Sequence, residues 1–418
     1  MEIFKFGGAS VKDATGVRNF MTMLQKLDQK EVLIVISAMG KMTNAFEDLV
    51  KAYHQKEIKP EQHLEKIRLF HLNIVENLDL GPNEPIHDEL KSIFEEILIF
   101  LEKNNSTDYD YLYDQIVSKA EFISTRICSA YLTANGLKHQ WLDVRKCIKT
   151  DSDFRRAKVD WEASTNAIHE FVNTSGITVT QGFIGSDNYG RTTTLGREGS
   201  DYTAGIFAFC LDAAKVSIFK DVPGVLNADP REFKQTSLIE QISYKEAIEM
   251  AFYGASVIHP KTLQPLQRKG IPLVVRSFLD ADSKGTYVGS ELDIVPKIPC
   301  FIVKKHQILI SISDKEFHFV MENDISEIFR FLHDYKIKVN LIQNSAISFS
   351  LCIEDNFNNF ERLMVKLKPK YKVKYNENLT LYTVRHFDEE AMRSLENGAE
   401  VLLKQRSRET AQIIVKAK

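Results

Sequence analysis

The chain has 418 residues, 44% hydrophobic and 27% charged, enough to bury a separate core in each of two or three domains. Its 54 Lys and Arg against 57 Asp and Glu leave a net charge of -3, which gives no support to nucleic acid or an anionic membrane as the main partner and points to a small substrate. The five cysteines stand isolated, without metal-site spacing, and read as reduced core residues. MEIFKFGGASV has neither the basic nor the apolar region of a secretory signal, and no stretch approaches the length of a membrane span, so a cytoplasmic location is expected.

Ile3 to Phe6 form a short apolar strand that runs into Gly7 and Gly8, and EVLIVISAMG repeats the pattern of a buried strand followed by small residues. From about Thr43 to Asn135 the periodicity is helical, broken at GPNEP and NNSTD, which predicts a helical lobe. Strands return at GITVTQGFI and KVSIFKDV, helices follow at SDYTAGIFAFCL and SYKEAIEMAFYGA, and a last strand is IPLVVRSF. This alternation predicts an α/β sandwich with a mostly parallel sheet, with ligands beyond the carboxyl ends of its strands. After about Gly289 the order becomes strand, helix, strand, strand, helix, strand, an α+β ferredoxin-like unit. A second, partial unit follows, and PCFIVKK is the strand it is expected to borrow; the plainer alternative is a single such domain with a C-terminal appendage.

KFGGAS places Lys5 at a strand end before two glycines that let a backbone approach a phosphate, with Ser10 positioned to cap the next helix. The same pattern also serves an ordinary tight turn, and its spacing is not that of a P-loop. The stretch GFIGSDNYGRTTTLGREGSDYTAG is more specific. Arg197, Gly199, Ser200 and Asp201 open a helix, where free amides favour an anion, and Thr192, Thr193 and Thr194 add hydroxyls. The plainer reading is that Ser200 or Asp201 caps the helix and the threonines are solvated loop; capping and anion binding use the same geometry. KDVPGVLNADPR reads as a structured loop, and Glu121, on an otherwise apolar helix, as a solvated edge residue.

With these residues set out, the chain resembles the aspartate kinase family of the amino-acid kinase superfamily, in KFGGASV, VISAMGKMTN, TQGFIGSDNYGRTTTLGREGSDYT, KDVPGVLNADPR and YGASVIHP. The resemblance implies a three-layer amino-acid kinase domain over residues 1–289, its helical lobe at about 43–135, and tandem intertwined ACT regulatory domains over 300–418. It implies transfer of the ATP γ-phosphoryl group to the side-chain carboxylate of L-aspartate, the entry to lysine, threonine and methionine synthesis. Lys5 would stabilise the moving charge and Asp201 would orient it; Thr43, Glu121, Arg197 and Ser200 would hold aspartate, Glu121 facing its ammonium and Arg197 a carboxylate. Lys5, Gly7, Gly8, Ser10, Lys220, Asp221, Leu226, Asp229, Arg231 and Ser256 would face the nucleotide. Mg²⁺ would bridge its phosphates with few protein ligands, and no residue is assigned to a metal. A homodimer through the ACT domains, with an amino-acid effector there, is also implied.

The sequence departs from the family pattern at Ala9, Ala120 and Glu198, the last a carboxylate beside Arg197 that either competes with substrate or points to solvent. Lys220, Leu226 and Ser256 stand where the family has Thr, Tyr and Lys, which removes a ring and a cation from the nucleotide side. SDKEFHFVMENDIS and QNSAIS replace the loops that shape a lysine site, Ala346 standing for a Glu, so weak or absent lysine feedback is expected. Two other readings stand beside this one: a kinase for another small acid such as glutamate, and a catalytically reduced amino-acid sensor. Glu121, Arg197 and the ACT tail argue against the first. Retention of Lys5, Glu121, Arg197 and Asp201 together argues against the second.

Overall fold

The computed structural model describes residues 1–28, 30–56, 61–255, 258–316 and 318–417. They divide into two compact units: Met1–Val225, Leu238–Ile248 and Ser256–Pro296 form one, and Leu226–Ser237, Glu249–Ala255 and Lys297–Lys418 the other.

The first unit begins with β1 (Glu2–Phe6), α1 (Ala14–Leu27) and β2 (Val32–Ile36), followed by the lobe helices α2 (Met42–His54), α3 (Glu61–Asn77), α4 (Ile86–Lys103), α5 (Tyr109–Val117) and α6 (Lys119–Ala134). Then come β3 (Gln140–Leu142), α7 (Trp161–Phe171), β4 (Ile177–Gln181), the hairpin of β5 (Ile184–Ser186) and β6 (Thr192–Thr194), α8 (Gly199–Cys210), β7 (Lys215–Lys220) and β8 (Gln241–Ser243). α9 (Tyr244–Tyr253), α10 (Pro260–Lys269), β9 (Leu273–Ser277) and β10 (Thr286–Gly289) follow. Eight strands make one sheet in the order β3-β4-β2-β1-β7-β9-β10-β8, parallel at every pairing except β9 with β10. The central strands are buried on both faces, as near-continuous Val, Ile and Phe requires. Phe4, Phe6, Ile34 and Ile36 share a core with α1, α2 and α6, while α8 packs on the sheet and against α10. The result is the expected three-layer sandwich. The parallel strands β1, β2, β4 and β7 all end at one edge, where Gly8, Ser37, Phe183 and Lys220 gather.

The second unit contains β11 (Cys300–Asp314), α11 (Glu322–Asp334), β12 (Lys338–Asn344), β13 (Phe349–Glu354), α12 (Phe360–Leu367), β14 (Tyr371–Arg385), α13 (Glu389–Glu396), β15 (Ala399–Arg406) and β16 (Thr410–Ala417). They form an antiparallel sheet in the order β12-β13-β11-β14-β16-β15. Its first half is a ferredoxin-like unit whose core joins Ile310, Ile312 and Leu351 to Leu332 and Leu363 of the helices. In the second half Cys300–Lys304 pairs with Leu381–Arg385 and supplies the strand that this half lacks in its own sequence. The segments PCFIVKK and HQILISISD are therefore one 15-residue strand, as are KVKYN and LTLYTVR. Register shifts around Gln307, with His306 and Asn378 in the left-handed region, mark where each long strand passes between the halves. The five cysteines are buried thiols, none of them in a disulfide among the described residues.

Candidate active site

Strand alternation decides which way Lys5 points. Phe6 on β1 stacks on Phe219 on the lobe side, ring centroids 4.4 Å apart, so Lys5 and Ile3 turn to the other face. The same parity on β7 sends Lys220 to the face of Lys5. On that face α8 begins, with Glu198 at the N-cap position in the left-handed region at φ 53 and no side-chain cap. The helix therefore starts with amides that no capping side chain satisfies. This corrects the expectation that Ser200 or Asp201 caps it: both lie inside the first turn, where Asp201 is drawn to two ammonium groups. Ser10 does not cap α1 either. It lies in a 3-10 turn, Gly8–Val11, and Asp13 makes the cap by accepting from the Gly16 amide.

Asp201 is 3% exposed, with the Lys5 Nζ 2.6 Å from its Oδ1 and the Lys220 Nζ 3.2 Å from its Oδ2. Burial alone pushes its carboxyl up, but the charges and hydrogen bonds of the two lysines outweigh burial and hold it below the ordinary carboxylate range. Two ammonium groups on one carboxylate leave an excess positive charge. Lys220 thus brings a cation to the site, where the sequence departures had suggested the loss of one.

Glu121, near the start of α6, is buried rather than a solvated edge residue. Burial pushes its carboxyl up to about 8, only partly offset by the Lys5 charge and the Ala38 amide, and its Oε2 has no hydrogen-bond partner among the described residues. Such an oxygen calls for a cationic donor.

These groups line a cavity of about 480 Å³. It brings together Lys5, Gly8, Thr43, Glu121, Arg197, Ser200, Asp201 and Lys220, with Arg197 exposed. Glu198 also lines it, with Oε2 buried and without a hydrogen-bond partner among the described residues, so its carboxylate does not simply point to solvent. Gly7 and Ser10 adjoin the cavity wall without lining it, the Ser10 hydroxyl being buried without a hydrogen-bond partner among the described residues. Asp221 is exposed just past β7. Leu226, Asp229 and Arg231 belong to the second unit, where Asp229 takes the Arg231 Nη2 at 2.6 Å. Ser256 lies outside the described residues.

The threonines are not hydroxyls of the cavity. Thr194 Oγ1 donates to Asp114 Oδ1 at 2.7 Å, Thr193 bonds Thr150 at 2.7 Å, and Thr192 Oγ1 accepts from Arg145 at 3.2 Å, which together tie the β5–β6 hairpin in place. Sequence reading also missed Arg155 and Tyr113, which line the cavity from a loop and from α5. Nothing in FRRAK or YLYDQ marks them, because their neighbours come from distant parts of the chain.

Comparison with known proteins agrees with this geometry. Residues 1–277 match the Amino acid kinase family. The lysine-sensitive aspartokinase 3 of Escherichia coli is 33% identical over 393 residues, spanning 91% of this chain and 85% of that protein. The crystal structure of E. coli aspartokinase III with aspartate and ADP superposes with a TM-score of 0.81 at 30% identity, covering 99% of this chain and 96% of that one. Its complex with lysine and aspartate gives 0.83 at the same identity and coverage. The chain belongs to the amino acid kinase family and, within it, to the aspartokinases.

Proposed function

We propose that the protein transfers the γ-phosphoryl group of ATP to the β-carboxylate of L-aspartate, giving 4-phospho-L-aspartate and ADP. The observation that carries this reading is one cavity holding both the Lys5–Asp201–Lys220 bridge and the unsatisfied carboxylate of Glu121. A carboxylate oxygen attacks the γ-phosphorus while the bond to the β,γ-bridging oxygen breaks, its electron pair leaving on ADP. Such a transfer needs positioning and charge neutralisation more than covalent help. Lys5 and Lys220 meet the phosphoryl charge, with Asp201 holding both. Glu121 takes the substrate ammonium, Arg197 a carboxylate in a forked pair, and Thr43 and Ser200 add hydroxyls.

Gly7, Gly8, Ser10, Asp221, Leu226, Asp229, Arg231 and Ser256 remain assigned to the nucleotide by resemblance. Asp201 is spent on two lysines, so the Mg²⁺ that would accompany ATP and help to neutralise its phosphates would find few protein ligands here. The reading carries with it a catalytic domain at 1–289, a regulatory region at 300–418, a cytoplasmic homodimer and a role at the head of lysine, threonine and methionine synthesis. Steady-state assay with ATP, Mg²⁺ and L-aspartate, trapping the acyl phosphate with hydroxylamine, tests it. Turnover that vanishes in K5A is expected; absence of turnover in the parent enzyme overturns the kinase and favours the sensor.

A further inference from the structure

Arg155 stands in a conformation that a long side chain rarely adopts, at φ 65, on the wall of the cavity. Strain of this kind persists only where the surroundings over-determine it. Here the Arg155 amide donates to both oxygens of buried Asp114, at 3.1 and 3.0 Å, and its carbonyl packs against Gly196 at the turn into α8. The backbone is held so that the guanidinium lies over the Tyr113 ring, 4.4 Å from its centroid.

Among the described residues the guanidinium makes one hydrogen bond, to Asp110 at 3.3 Å, and approaches Glu47 at 3.6 Å. It is 39% exposed. Most of its fork of donors is unspent, and a guanidinium in a cavity recognises planar or tetrahedral anions. Glu47 lies one helical turn beyond Thr43 on α2, so Arg155 sits beside the wall assigned to the acceptor.

We propose that Arg155 is a second carboxylate-reading residue of the acceptor site, acting beside Arg197 to select a doubly acidic substrate. This rests on the aspartate kinase reading above. Glycine adopts φ 65 without strain, so R155G removes the guanidinium while relieving the backbone, and its melting temperature is expected to hold. Its KM for L-aspartate should rise about tenfold or more, with the KM for ATP unchanged and kcat within about threefold; R155K, keeping charge but not the fork, should recover part of the loss. E47Q should act in the opposite direction and lower the KM for L-aspartate, because it removes a competing carboxylate. A purely structural strut would not produce that gain.

An unchanged aspartate KM in R155G overturns the proposal, as does a rise confined to ATP, which would make Arg155 a phosphate reader. A fall in kcat and melting temperature at constant KM overturns it in favour of a strut. Calorimetric titration with L-aspartate reads the same change without turnover. A parent enzyme that is inactive, or that binds no aspartate, overturns the functional reading, whereas a normal parent with an equally normal R155G overturns only the role of Arg155.

Discussion

Glu121 sits where its own charge is least welcome, and that fixes the sign of two pH effects. With its carboxyl pushed up to about 8 by burial, it is largely protonated at neutral pH in the empty cavity. Only the ionised form pairs with a substrate ammonium, so the KM for L-aspartate should fall about tenfold from about pH 7 to about pH 9, a range that spans the titration. Stability moves the other way. The folded state holds a proton that the unfolded chain has lost above the ordinary carboxylate range, so the stability tied to Glu121 is present at acid pH and lost as pH rises through about 8. E121Q should therefore gain a few kcal/mol over the parent enzyme near pH 8, with no gain at acid pH, while losing aspartate binding. Urea titrations at both ends of the range check this, and a pH-independent difference would refute the assignment. At this scale the sequence was legible where a motif is local, as at Lys5 and Asp201. It was not legible at Arg155, whose conformation depends on Asp114, or at Glu198, where a left-handed backbone explains why the family pattern has glycine.

Elements carry the site because two of them meet without room to spare. A Cβ on Gly182, at the end of β4, would lie 2.4 Å from Ser200 Cβ and 2.8 Å from Ser200 Cα, so the first turn of α8 approaches the sheet only over a bare backbone. G182A should push that turn away, costing about 1–3 kcal/mol in stability and, by displacing Asp201 from Lys5, more than about tenfold in kcat. G81A is the control, since nothing among the described residues lies within 4 Å of a Cβ there, and it should leave both quantities unaltered. Chemical denaturation and the hydroxamate assay measure the pair; equal behaviour of the two variants would show that the close approach is not needed. The long buried strands around Gly182 were readable from their apolar runs. β3, β8 and β10, of three or four residues each, were not, because so short a run has no periodicity to read. The polar breaks KKHQ and YNENL similarly divided two continuous strands at their bulges. The threonines of β6 looked like cavity donors because Asp114, eighty residues away in sequence, is what claims Thr194.

The whole molecule joins a phosphotransfer unit to a ferredoxin-like pair, and kinship and local chemistry disagree about whether the pair binds lysine. A relative with 33% identity is lysine-sensitive. A lysine site needs free carboxylates for two ammonium groups and free amides for the α-carboxylate. In this chain Asp314 already accepts from the amides of Glu316 and His318, and Asp324 from the Met321 amide and the Tyr371 hydroxyl. The Val320 amide is taken by the Ala346 carbonyl at 3.3 Å, and Phe319, Met321 and Ile347, 66%, 55% and 48% exposed, stand among the exposed Glu316 and Glu322. Groups that are spent on their own backbone must be released before they can hold a ligand, which costs affinity. Lysine should therefore inhibit only weakly or not at all through the millimolar range, at saturating ATP and at aspartate near its KM. Strong inhibition at low lysine would sink the idea and show that these loops rearrange when lysine binds; inhibition by threonine alone would leave the insensitivity to lysine standing and identify another effector for the same sheet.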